Sequence, residues 1–234
     1  MASWSEAGGS NRRGSGSGIR SDFAARHRDV LASIYIYNEH RGYTSLDRVL
    51  AAVRRHCPDD AQFIAAIESH RGDERKHYLM FKRWFERAGR MPLALDKGYG
   101  HIDRFIRFAF GCGIDDLDTE RVLEDPGAFD QLCRVIVLTE QRGLRQVEKL
   151  LASSLVREDP VMHRIFRIIH KDEPSHFEPY QAWLAGEGRP DALWRERVAD
   201  ACIHKLLLLW KLPMLFFDAG ARRLEEWPDA GEAA

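Results

Sequence analysis

Four glutamates and two histidines recur as two copies of one pattern: Glu39 then Asp73-Glu74-x-x-His77, and Glu140 then Asp172-Glu173-x-x-His176. Carboxylate and imidazole together form a donor set for first-row transition metals. The interval from Glu39 to Glu74 is 35 residues, and that from Glu140 to Glu173 is 33. Each is enough for one helix, a short turn and a return to the same depth in a second helix. Two lone glutamates plus two Glu-x-x-His pairs therefore predict a carboxylate-bridged two-metal centre inside four helices.

The repeat extends beyond these six residues. Glu39-His40-Arg41-Gly42 corresponds to Glu140-Gln141-Arg142-Gly143, while Tyr78, Phe81 and Trp84 correspond to Phe177, Tyr180 and Trp183. Two similar helix pairs facing one another build a site of approximate two-fold symmetry, which suits two like ions.

Periodicity shows which way the residues point. Phe63, Ile67, His70, Glu74, His77 and Phe81 recur at steps of three and four, as do Met162, Phe166, Ile169, Glu173, His176 and Tyr180. Ile36, Glu39, Tyr43 and Leu46 form the corresponding stripe of a first helix, and Val137, Glu140, Leu144 and Val147 that of a third. Every candidate ligand thus sits mid-way along an apolar seam that must face a core. A carboxylate buried there is costly unless it is paired or metal-bound. Buried salt bridges are the alternative, but no Arg or Lys shares these seams.

The predicted elements follow. Helices are expected at about 21–56, 59–88, 127–154 and 159–186, with Asp159 as N-cap, Pro160 in the first turn, and Gly89 and Gly186 as stops. Residues 90–126 make a long middle crossover with a short helix near 101–110. The fold class is all-α: a four-helix bundle over residues 21–188, with a C-terminal helical extension over 189–234. Residues 1–20, rich in Gly and Ser, are expected to form a flexible leader. The apolar run Leu206–Phe217 is too short, and too interrupted by Lys211 and Pro213, to span a bilayer. It is expected to pack on the bundle or on a second copy in a homodimer; a lid over an apolar substrate, or contact with a membrane surface, is the alternative.

With 35 basic and 36 acidic residues, the net charge of −1 gives no electrostatic case for nucleic acid. The four cysteines, at 57, 112, 133 and 202, form no C-x-x-C pair, which argues against a zinc ribbon or a disulfide scaffold. No apolar signal segment opens the chain, so a cytoplasmic location is expected.

Within the centre, Glu74 and Glu173 suit the bridging role, Glu39 and Glu140 are terminal ligands, and His77 and His176 each cap one ion. Asp73 and Asp172 are expected to accept the free ring N–H of a ligand histidine and fix its tautomer; a solvated surface aspartate is the alternative. Tyr43 lies one turn from Glu39 and either donates to a ligand or is ordinary core. His70 and His170, each about one turn before a glutamate, are read as core or supporting histidines. Pro174 is expected to kink or bulge the fourth helix. Gly42 and Gly143 mark either close helix packing or a substrate cavity.

On the doubled Asp-Glu-x-x-His, the chain resembles the ferritin-like di-iron carboxylate superfamily over about residues 21–186. Its members include bacterial multicomponent monooxygenases, acyl-carrier-protein desaturases, rubrerythrins and ribonucleotide reductase small subunits. The match looks closer to the dioxygen-activating branch than to storage ferritins. The resemblance implies two iron ions, or a manganese–iron pair, and an electron-donor reductase. It also implies a dioxygen-dependent oxidase or oxygenase that hydroxylates or desaturates a small apolar substrate. The alternative it allows is a protein that handles iron or peroxide.

Overall fold

The computed structural model describes residues 15–117, 122 and 124–230. Its helices are α1 (Ser15–His56), α2 (Ala61–Arg87), α3 (His101–Phe110), α4 (Pro126–Ala152), α5 (Ser154–Arg157) and α6 (Pro160–Gly186). A C-terminal run follows: α7 (Trp194–Leu206), a π-helical turn (Leu207–Lys211) and α8 (Leu212–Phe217). Among the described residues the protein is all-helical, and extended pairing is confined to the bridge between Leu93 and Arg223. Helix α1 already takes in residues 15–20, which the composition had suggested were flexible leader; residues 1–14 lie outside the described residues.

Local chemistry sets the helix ends. Asp60, Asp125 and Asp159 cap α2, α4 and α6, accepting from the amides of Phe63, Gly127 and both Val161 and Met162. Pro126 and Pro160 occupy first-turn positions where no N–H is needed. Gly89 follows α2 in the left-handed region, but after α6 that role falls to Gly188 and not to Gly186, which stays helical. Pro174 and Pro179 lie inside α6, which nevertheless runs from Pro160 to Gly186 without a break or bulge.

Three packings organise the four long helices: α1 on α2, α4 on α6, and α2 on α6. Two apolar clusters fill the interior. One holds Leu46, Phe63, Ile67, Phe129, Cys133 and Tyr180; the other holds Ile36, Phe81, Phe85, Met162, Phe166 and Ile169. Each long helix crosses from one cluster to the other, α2, α4 and α6 at their candidate ligands and α1 just past Glu39, between Tyr43 and Leu46. The glutamates and histidines therefore form a polar layer between two greasy ones.

The C-terminal run closes the assembly, with α7 against α3 and α4, and α8 against α1. Arg134 pairs with Glu196 at 3.0 Å, and Arg142 with Asp200 at 3.2 Å. Arg26 donates to the carbonyls of Leu215, Phe216 and Asp218, satisfying the end of α8. Pro213 cannot donate to the Leu209 carbonyl, and the wider turn just before it lets Leu212 donate to Leu207 instead. No described helix is long and apolar enough to cross a membrane.

Candidate metal centre

The polar layer brings together all six residues singled out by spacing. Glu39, Glu74, His77, Glu173 and His176 are buried, and Glu140 is partly so. His77 Nδ1 faces Glu39 Oε2 at 3.3 Å. His176 Nδ1 faces Glu74 Oε1 at 3.4 Å and Glu173 Oε2 at 3.9 Å. Donor atoms bound to one ion at about 2.1 Å would stand about 3 Å apart, so this spacing suits a shared ion.

The donors form two groups. Glu39, Glu74 and His77 make one; His70, Glu74, Glu140 and His176 make the other. Glu74 belongs to both and is the natural bridge. Glu173 adjoins the second group through His176.

His70 is the addition that spacing alone had left as a supporting residue. It is buried, its Nε2 lies 3.7 Å from Glu74 Oε1, and its ring stacks on that of His176 with centroids 4.0 Å apart. The two halves are unequal here. His70 precedes Glu74 by four residues, which returns it to the same side of the helix; His170 precedes Glu173 by three and turns outward. His170 is only half-buried and lies 3.7 Å from Glu148, while Ile169 takes the place equivalent to His70. The i, i+4 spacing of His70 and Glu74 was the signal that could have found it.

Several buried polar atoms of the layer lack a hydrogen-bond partner in the protein. They are Nδ1 of His70, His77 and His176, Nε2 of His176, and Oε2 of Glu173. Leaving such atoms unpaired is expensive, and a bound cation would satisfy the ring lone pairs and the carboxylate together. The electrostatics agree. Burial, then repulsion from Glu39, pushes Glu74 up to about 8. Burial likewise raises Glu39, with Glu140 next, and Glu140, with Glu74 next. Glu173 is raised by burial and then by Glu140. Four carboxylates crowded into one dry layer hold protons unless positive charge replaces them, and two divalent ions supply that charge.

Outside the layer, the aspartates are exchanged between halves. Asp172 accepts from His77 Nε2 at 3.1 Å, and Asp73 lies 3.7 Å from His176 Nε2. In both imidazoles Nδ1 faces the glutamates, and for His77 the hydrogen bond to Asp172 holds it there. Lys76 spans the pair, contacting Asp73 and reaching Asp172 at 2.7 Å. His176 and then Lys76 hold Asp73 well below the usual carboxylate range. Tyr43 is buried, its ring against His40 and Tyr78.

The two repeated glycines serve the carboxylates. A Cβ on Gly42 would collide with the Glu74 carboxylate, and one on Gly143 would stand 3.3 Å from Glu173 Oε1. Both alternatives meet here: each glycine allows close approach to a carboxylate across its helix pair, and each also lines the cavity beside the layer.

The side of the layer away from the α2–α6 packing is open. A cavity of about 200 Å³ lies between α1 and α4, bounded by Glu39, Glu74, Glu140 and Glu173 on one side. Ile102 and Ile106 of α3, Leu46 and Val49 of α1, and Leu132 and Ile136 of α4 give it apolar walls. Leu207, Leu208, Lys211 and Leu212 of the C-terminal run complete it.

Comparison with protein-family models, curated proteins and solved structures finds no match to this chain. The fold and the site together define an all-helical protein with buried histidine and glutamate groups able to hold a metal ion.

Proposed function

We propose that this chain is a non-haem di-iron oxidoreductase that uses dioxygen to hydroxylate or desaturate a small, largely apolar organic substrate. In this reading the architecture is a ferritin-like four-helix bundle with a long crossover between its second and third helices. The observation that carries the proposal is the meeting of the carboxylate layer with an apolar cavity. Storage or detoxification of small inorganic species needs only a channel, whereas a walled cavity against the donors suits an organic molecule.

Glu39, Glu74 and His77 would hold one ion, and His70, Glu74, Glu140 and His176 the other, with Glu173 beside it. Bound iron, reduced by a partner protein, would supply the activation of dioxygen. The chain's own residues have separate tasks. Asp172 keeps the His77 proton at Nε2, leaving its Nδ1 lone pair free for an ion, and Asp73 faces His176 Nε2 from 3.7 Å. The tight α2–α6 side excludes water from the back of the layer, and the apolar walls of the cavity would place substrate C–H groups against its front. Tyr35, which also lines the cavity, is pushed far up by burial and then by Glu173, so it stays a protonated donor.

The test is anaerobic loading with ferrous iron, elemental analysis, and then dioxygen uptake with and without organic compounds. About two irons per chain and uptake coupled to an oxidised organic product are expected. Uptake without organic substrate, with ferric iron accumulating, would reassign the protein to iron handling.

A further inference from the structure

The cavity has a chemical asymmetry that its apolar walls conceal. Among the described residues lining it, the only acids are the four glutamates of the layer, whose charge two divalent ions would cancel. Against them stand three cations: Arg48, Arg142 and Lys211. Arg48 is committed elsewhere, donating to the carbonyls of Ile114 and Asp115. The other two are not fully used. Arg142 gives Nε to Asp200 at 3.2 Å and Nη1 to Gln146 at 3.5 Å, while its Nη2 has no protein partner among the described residues. Lys211 lies over the Tyr99 ring at 5.1 Å and makes no ion pair among the described residues.

Asp200 offsets the charge of Arg142, leaving Lys211 and the already committed Arg48 as the unbalanced cations, and it also serves as a support. It accepts from Arg142 and from His101 at 3.1 Å, fixing the guanidinium on the wall of the cavity. A planar, oriented guanidinium with a free Nη2 can donate to a carboxylate, and the Lys211 ammonium on the same cavity adds charge without demanding geometry. Arg142 is 13% exposed, so a ligand acid would displace little bulk water from it.

We propose that the substrate is a small organic acid, its apolar body between Ile102, Ile106 and Ile136 and its carboxylate held by Arg142 and Lys211. The proposal rests on the reading of the glutamate–histidine layer as the redox centre, and names the substrate class of that site. Volume limits the body. A cavity of about 150 Å³ accepts benzene, so about 200 Å³ takes a single ring or a short chain.

Equilibrium binding tests this without turnover. Iron(II)-loaded protein under argon is titrated calorimetrically with benzoate, 3-phenylpropionate and octanoate, and with the three corresponding primary amides. At least one acid is expected to bind about tenfold more tightly than its amide. Lys211→Gln and Arg142→Gln should each remove most of that preference. Arg142→Gln also strips Asp200 of a partner, so its melting curve is recorded; the partly exposed Lys211 carries no such risk. No measurable binding of any of the three acids overturns the proposal, as does equal binding of acid and amide. Persistence of the preference in both variants also overturns it, because the acid is then held elsewhere. Metal content of the same samples separates the two claims. Two ions bound without acid preference leaves the centre standing and removes the acid site; acid preference without bound metal does the reverse.

Discussion

Asp172 stands 3.1 Å from His77 Nε2, so the carboxylate that orients one half's histidine is supplied by the other half. The reciprocal pair, Asp73 and His176, is longer at 3.7 Å. Removing a group that orients a ligand imidazole typically weakens metal binding about 10–100-fold. Asp172→Ala is therefore expected to lower affinity by about that factor, and Asp73→Ala by less, with helicity intact in both. Metal titrations followed by circular dichroism check this; equal affinity in wild type and Asp172→Ala refutes it.

Glu74 is the one residue common to both donor groups. Glu74→Ala is expected to abolish nearly all bound metal, whereas Glu39→Ala, which touches only the first group, should leave about one ion per chain. Elemental analysis of the two variants side by side decides, and identical losses would remove Glu74 from the bridging position.

The glycines give a contrast of sign. An alanine in a helix is favoured over glycine by about 1 kcal/mol. At Gly143 the added methyl meets Glu173 Oε1 at 3.3 Å, a small adjustment, so Gly143→Ala should be close to neutral in thermal melting. At Gly42 the methyl takes the space of the Glu74 carboxylate. Gly42→Ala is therefore expected to lose bound metal and about 1–3 kcal/mol of stability in the loaded protein. Similar behaviour of the two variants would contradict this account.

Protonation sets a pH dependence. Burial, then Glu39, raises Glu74 from an ordinary 4.5 to about 8. Below 4.5 folded and unfolded chains both hold the proton; between 4.5 and 8 only the folded one does. Stability of the metal-free protein from this group is thus full below 4.5 and is lost as pH rises through 8. His70, lowered by burial to about 4 from 6.5, acts oppositely at the acid end, its contribution being lost as pH falls from 6.5 towards 4. Ions displace the glutamate protons, so loading should raise the melting temperature more at pH 8 than at pH 6. Melts of both forms at the two pH values measure it, and equal increments would count against a proton–metal exchange.

Much of this was legible in the sequence because one period governs it. Steps of three and four place Glu39, Glu74, His77, Glu140, Glu173 and His176 on inward seams, and the structure gathers those six at one depth. Asp159 and Pro160 start α6 as their local chemistry dictates. What escaped depends on contacts between distant segments. Arg142 lies off the seam and faces the cavity because Asp200, from a helix 58 residues further on, holds it. Lys76 gains its place only once α2 and α6 bring Asp73 and Asp172 together. The role of His70 was obscured because the repeat suggested His170 as its copy, although one is four residues from its glutamate and the other three.

The uneven division of the donors also ties the two hairpins together unequally. Glu39, Glu74 and His77 all belong to the α1–α2 hairpin, which carries every donor of that group, while Asp172 of α6 orients its histidine. The second position takes His70 and Glu74 from the first hairpin and Glu140 and His176 from the other. An ion there would bind only the docked arrangement and so would draw the hairpins together by mass action. Metal supply would thereby bear on the docked state more than on either hairpin, because an ion in the second group would fasten the two halves.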